Sequence, residues 1–101
     1  MFRGTTPKFV FTLPNTTDVD QIDAAYVSFE QNGAKIIEKE LADLTVDSAN
    51  NALLFELTQT ETLSLQPGQV LYQLRFTIGT EAYATRIFNE DANRIIKDGA
   101  I

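Results

Sequence analysis

The chain has 101 residues, fourteen acidic against eight basic side chains and a formal charge of −6, with no cysteine, histidine or tryptophan. Disulfides, thiolate chemistry, zinc sites of the usual kind and a histidine general base are thereby excluded together. The acidic balance argues against a nucleic-acid partner, which needs clustered Lys and Arg, and a chain of this size buries roughly two thirds of its unfolded surface around one core.

The opening, Met1-Phe2-Arg3-Gly4-Thr5-Thr6-Pro7, lacks the apolar run of a secretory signal, and no stretch approaches the ~20 apolar residues of a membrane span. The expectation is a protein made in a cytoplasm, with no membrane partner. From Lys8 to Leu13, Phe9, Phe11 and Leu13 alternate with Val10 and Thr12, and Pro14 closes the run: a first strand, at a sheet edge. Asn15 to Asp23 reads as a polar connection. Its Asn15-Thr16-Thr17 matches a glycosylation sequon but reads better as a turn after Pro14.

From Ala24 the alternation resumes, with Ala25, Val27 and Phe29 opposite Tyr26, Ser28 and Glu30. Asn32-Gly33 then supplies the two positive-φ positions of a type I′ hairpin turn. Such a turn pairs Gln31 with Ala34 and Glu30 with Lys35. Carried further it would set Val27 against Glu38, so a bulge is expected near Ile37, after which Leu41 and Leu44 point inward. Leu44-Thr45-Val46 reads as a short strand, Ser48 to Asn51 as a polar turn, and Ala52 to Leu57 as a strand with Leu53, Phe55 and Leu57 inward. No Lys or Arg stands between Glu40 and Leu74, which predicts an acidic, solvated part of the surface.

Thr58-Gln59-Thr60-Glu61 has capping-box spacing and predicts a single helical turn near 59–64, with Leu63 and Leu65 plugging the end of the core. Gly68 to Ile78 is the longest period-two pattern: Val70, Tyr72, Leu74, Phe76 and Ile78 on one side, Gln69, Leu71, Gln73, Arg75 and Thr77 on the other. Gly79-Thr80-Glu81 makes another tight turn. A final strand is predicted from Ala82 to Phe88, interrupted by Asn89-Glu90-Asp91, three residues that disfavour strands.

Six to seven short strands with one helical turn and no long helix indicate an all-β, immunoglobulin-like antiparallel sandwich. It forms a single domain over residues 1–101 with short tails at 1–7 and 94–101. The segment Leu65-Gln66-Pro67-Gly68 leading to Tyr72 is similar to the approach of fibronectin type III domains to their penultimate long strand. Here Tyr72 stands one residue farther from the proline, with Leu71 in its place.

Three stretches carry a wider resemblance. They are Met1 to Pro7 with Phe9 and Phe11, Phe29-Glu30-Gln31-Asn32-Gly33, and Ala82-Tyr83-Ala84-Thr85 with the ending Arg94 to Ile101. Together they resemble small virion-associated proteins of tailed phages and prophages of Gram-positive bacteria, and the immunoglobulin-like domain that begins some baseplate upper proteins. The resemblance implies a structural or accessory module of the virion, in the tail or baseplate, made in the host cytoplasm, whose partners are other virion proteins or further copies of itself.

Among candidate sites, Asp18, Asp20 and Asp23 form the densest carboxylate cluster. A helix-loop-helix calcium loop counted from Asp18 would want glycine where Asp23 stands and glutamate where Phe29 stands, so a solvated loop is expected and no metal. Ser28, Ser48 and Ser64 lack a glycine elbow and any histidine partner, so no catalytic residue and no cofactor is implied. Tyr26 and Tyr83 could serve as surface platforms for a sugar, with Tyr72 in the core. This keeps a carbohydrate-binding or host-surface adhesion module as the alternative. The expected interface is terminal: Phe2 and Arg3 at one end, Arg94, Ile95, Ile96, Lys97 and Ile101 at the other, apolar groups rimmed by charge.

Overall fold

A computed structural model describes all 101 residues. Eight strands form: β1 (Lys8–Thr12), β2 (Ala24–Gln31), β3 (Ala34–Glu40), β4 (Thr45–Asp47), β5 (Ala52–Glu56), β6 (Gly68–Ile78), β7 (Glu81–Ala84) and β8 (Phe88–Ala92). One helix, α1 (Gln59–Leu63), and two 3-10 turns join them. One sheet has the order β1-β5-β4; the other runs β3-β2-β6-β7, with β8 also on β6. Every strand pair is antiparallel. Packed face to face, the sheets reproduce the B-E-D against C′-C-F-G order of an immunoglobulin-like sandwich, with the last strand of that order broken in two.

The alternations seen in the sequence set which side chains face between the sheets. Val27, Phe29, Leu53, Leu57, Leu65, Val70 and Leu74 are fully buried, and Phe11, Phe55 and Phe76 nearly so. At the centre, Phe9 of β1 stands directly opposite Phe55 of β5 and stacks on it at 5.0 Å, interplanar 6°. In the other sheet Phe29, Tyr72 and Phe88 stand in one row across β2, β6 and β8, stacking at 5.1 and 5.3 Å with 20° between planes. Contacts between the sheets are instead edge to face: Phe9 meets Phe29 at 71° and Tyr72 at 70°, and Phe11 meets Phe88 at 65°. Rings in one sheet lie parallel because the pleat holds neighbouring side chains parallel, and each then turns its positive edge to a ring of the opposite sheet.

The hairpin forms as expected: Asn32 and Gly33 have φ of 53° and 80°, and Gln31 pairs with Ala34 and Glu30 with Lys35. The bulge falls one residue before its expected place. Ile36 is the extra residue, so Phe29 pairs with Ile37, and Ile37 is buried while Ile36 is exposed. Burying Ile37 between the sheets, beside Phe29, decides the slip, since an unbulged ladder would turn it outward. After the bulge a 3-10 turn over Leu41–Asp43 leads to a buried Leu44.

The final strand departs from its expected course. It is two strands, and Asn89-Glu90-Asp91, expected to interrupt it, lies inside the second. The register on β6 moves by one residue between the Arg75–Ala84 pair and the Tyr72–Phe88 pair. At this break the Thr85 hydroxyl accepts the Leu74 N–H at 3.2 Å, while the Thr85 carbonyl accepts from Gln73 Nε2 at 2.7 Å. The slip brings Phe88 opposite Tyr72 and into the aromatic row. Pairing with β6 outweighs the weak strand propensity of Asn, Glu and Asp, whose outward members Asn89 and Asp91 are exposed.

Two polar side chains lock loops that composition alone marks as open. The Asn51 amide, on a residue with φ of 52°, donates to the carbonyls of Leu13, Pro14 and Thr17 and accepts the Val19 N–H at 2.9 Å. This folds the 15–23 connection down so that Val19 enters the core. Buried Gln31 donates to the Gln66 carbonyl at 2.7 Å and accepts the Gln66 N–H at 2.8 Å, fixing the approach to β6. Phe29→Ala is expected to cost about 3–5 kcal/mol in urea unfolding, as a buried ring with several ring neighbours should. Asn51→Ala is expected to cost about 2–4 kcal/mol by the same measurement, because it orphans several loop groups at a strained backbone position.

Candidate interaction surface

Both termini meet at one end of the sandwich. Met1 to Arg3 runs beside the end of β8: Phe2 and Asn93 form a parallel bridge, Arg3 N–H donates to the Asn93 carbonyl at 3.0 Å and Asn93 N–H to the Met1 carbonyl at 2.7 Å. The Met1 ammonium contacts Glu90 Oε1 at 2.7 Å. The first tail, expected outside the sandwich, is thus held against it, and Met1 packs on the core.

Arg3 is the clasp. Its Nε donates to the Leu65 carbonyl at 2.6 Å, Nη2 to the Leu63 carbonyl at 3.0 Å and Nη1 to Asp98 Oδ2 at 3.3 Å. It therefore satisfies one carbonyl at the end of α1 and one just past it, and ties the second tail to them. The Asp98 carboxyl lies below its ordinary range, first through the Gly99 N–H it accepts and then through Arg3. Gly4, at φ of +73°, leaves the room that Ile95 fills; a Cβ there would come within 3.0 Å of Ile95 Cδ1. Gln59 completes the attachment by exchanging hydrogen bonds with the Ile101 backbone at 2.8 and 3.2 Å.

The expected interface set therefore divides. Arg3 and Ile95 hold the tail to the domain, while Arg94 and Lys97 are exposed beside Phe2, Ile96 and Ile101, which are 57%, 96% and 91% accessible. Three large apolar side chains and two cations face solvent at one end of the molecule.

The α1 side of this surface rests on a capping box, in which Thr58 Oγ1 accepts the Glu61 N–H at 3.1 Å and Glu61 accepts the Thr58 N–H at 2.9 Å. Glu61 also pairs with Lys39 of β3 at 2.6 Å, with only 13% and 26% of the two side chains exposed. Burial acts to raise the Glu61 carboxyl, but the Lys39 and Thr58 contacts outweigh it and hold the group below its ordinary value of 4.5. Buried Thr62 donates to the Thr5 carbonyl at 2.9 Å and so joins α1 to the first tail. Neither Lys39 nor Thr62 stood out in the sequence: the register of β3 decides one and the path of residues 1–7 the other.

The other candidate groups are spread over the fold. Asp18 accepts the Asp20 N–H at 2.9 Å, Asp20 the Ser48 hydroxyl at 2.6 Å and Asp23 the Gly79 N–H at 2.7 Å, so each carboxylate has its own partner. No three His, Cys, Asp or Glu side chains gather where they could hold a metal. Ser28 donates to Glu38 at 3.3 Å and Ser64 to the Glu61 carbonyl. Tyr72 sits half-buried in the aromatic row, and its hydroxyl is pushed up by burial, then by Glu90, against a smaller opposing effect of Arg86. Tyr26 and Tyr83 both border a depression of about 350 Å³ beside β2, β6 and β7, although Tyr83 lays one ring face on Phe76 at 5.0 Å. No helix is long and apolar enough to cross a membrane. No protein-family model matches the chain, and none of the curated proteins is significantly similar to it.

A carboxyl held low in the folded state contributes stability above its unfolded value, and that contribution is lost as pH falls through the folded one. The midpoint of urea unfolding should therefore fall as pH drops below about 4.5. Glu61→Gln should lower stability by about 1 kcal/mol at neutral pH and flatten this acid dependence; an unchanged pH profile would remove Glu61 from the account.

Proposed function

We propose that this chain is a non-enzymatic structural or accessory module of a phage or prophage particle, in the tail or baseplate, acting by protein-protein contact. The observation that carries the reading is the terminal surface: Phe2, Ile96 and Ile101 face solvent beside Arg94 and Lys97, while Arg3 and Ile95 fasten the segment that presents them. Exposed apolar side chains on a fastened segment are suited to a contact with a neighbouring subunit, because little ordering entropy remains to be lost on binding. The virion context rests on the resemblance of the opening, hairpin and closing stretches, and it makes the partner another virion protein or a further copy.

A second reading, a carbohydrate-binding or host-surface adhesion module, is favoured by Tyr26 alone, which is exposed beside Ser28, Glu38, Arg75 and Thr77 at the same depression. Loss of glycan-array or cell-wall binding in Tyr26→Ala would support it, and no binding by the parent protein would remove it.

In particles purified after induction of a strain that carries the gene, mass spectrometry should find the chain among the virion proteins. Removal of residues 94–101 deletes the Ile95 packing and the Asp98 partner of Arg3, contacts that lie outside the core. The shortened chain should stay folded by circular dichroism yet no longer attach to particles. Its unfolding, or the absence of the parent chain from particles, would overturn the reading.

A further inference from the structure

Ile96 is the most exposed large apolar side chain of the molecule, and it is held out between two anchors, Ile95 against Gly4 and Asp98 on Arg3. Arg94 and Lys97 stand on either side of it, exposed and in no ion pair, because the ion pairs use Met1, Arg3, Lys35 and Lys39 as their cations. The tail thus presents an apolar knob, fixed in place, between two unpaired cations.

The opposite end of the sandwich has the complementary features. Between β1 and β7 runs an apolar groove of about 280 Å³ whose walls include Phe11, Leu13, Phe76, Tyr83 and Phe88. A cavity of about 150 Å³ already holds benzene, so an isoleucine side chain has room here. The loops at 13–23, 47–51 and 79–81, beside the outer end of the groove, contain no Lys or Arg. Asp18 follows Thr17 of the groove wall, Glu81 precedes Tyr83 on β7, and Asp23 accepts the Gly79 N–H where β6 turns into β7. All three carboxylates are exposed and none is in an ion pair. Arg86 lies over Phe88 at 4.2 Å, toward the inner end of the groove. A segment carrying cations is therefore drawn to the outer, acidic end.

We propose that the tail knob of one copy docks in this groove of a second copy, with Ile96 between β1 and β7 and with Arg94 and Lys97 against Asp18, Asp23 and Glu81. A second copy is the occupant because its tail matches the groove in apolar character and the rim in charge, and because no tail can reach the rim of its own chain. The terminal segment lies at the start of β6, where Gly68 pairs with Ala92, and the carboxylates lie past the end of β6 at Ile78. At a rise of ~3.3 Å per residue, β6 separates the two by roughly 30 Å, whereas the chain from Asn93 to Ile96 spans at most about 10 Å. Knob and groove are different surfaces, so the contact is heterologous and joins copies head to tail. The anchors on either side of Ile96 leave little ordering entropy to lose on docking. One side chain and a few exposed charges still make a weak contact, and salt weakens it further. This names the partner of the terminal surface, and so rests on its being a contact surface.

Sedimentation velocity of the purified protein over a concentration series, at low and at high salt, tests the contact. The parent should form concentration-dependent oligomers at low salt that dissociate as salt is added. Ile96→Ser should weaken association roughly tenfold or more, through loss of a buried aliphatic side chain. Arg94→Glu with Lys97→Glu, and separately Asp18→Lys with Glu81→Lys, should each abolish association while the circular dichroism spectrum stays unchanged. An equimolar mixture of these two double variants should restore it, because each reversed surface then meets its complement. Glu81→Lys alone should weaken association as well, and it serves if the double change disturbs the turn that Asp18 caps. A parent monomeric at every concentration, association unaffected by the changes at Asp18 and Glu81, or a mixture that stays monomeric would each overturn the proposal. The virion reading outlives any of these if loss of residues 94–101 still detaches the chain from particles, since an unlike protein is then what the terminal surface meets.

Discussion

The rings between the two sheets are the constraint on which the rest of this molecule depends. Phe9 and Phe55 form a stacked pair in one sheet, and Phe29, Tyr72 and Phe88 form a stacked row in the other. The two groups meet edge to face. Each such pair contributes about 0.5–1.5 kcal/mol beyond the area it buries, and the geometry also fixes how one sheet sits over the other, since sliding by one residue pair would part these edge-to-face contacts. That requirement explains two irregularities of the backbone. The bulge at Ile36 keeps Ile37 opposite Phe29 on the inner face, and the break at Thr85 carries Phe88 into line with Tyr72.

Around this seam the polar side chains of the interior do positional work. Asn51 holds the loop that brings Val19 inward, Gln31 holds the approach to β6, and Thr62 joins α1 to the first tail. No buried side-chain nitrogen or oxygen is left without a partner. A buried donor or acceptor stripped of its partner costs more than a formed bond contributes, so these residues specify one path for each loop. Arg3 extends the same logic to the surface, placing its fork on carbonyls at and just past the end of α1 and on Asp98.

What this arrangement offers to other molecules lies on its periphery. One end presents apolar side chains and cations on a segment tied down by Arg3 and Gln59. One edge, β7, turns the backbone groups of Ala82 and Ala84 away from β6. The proposed placement in a tail or baseplate would make use of the terminal surface.

Period-two patterning, the Asn32-Gly33 turn, the capping box at Thr58 and the long run from Gly68 to Ile78 are local signals: each rests on backbone preferences or on side chains a few residues apart, and they determined the sandwich and most of its inward residues. The division of the last strand, the burial of Val19 and Thr62, the Lys39–Glu61 pair and the separation of Arg3 and Ile95 from the exposed terminal residues rest on partners distant in the chain. Asn89-Glu90-Asp91 shows the difference most plainly, because its composition opposes a strand and only β6 beside it makes one. The sequence by itself determined which side chains prefer to be hidden; tertiary structure decided what each meets, because register and loop path depend on packing between elements that no local pattern connects.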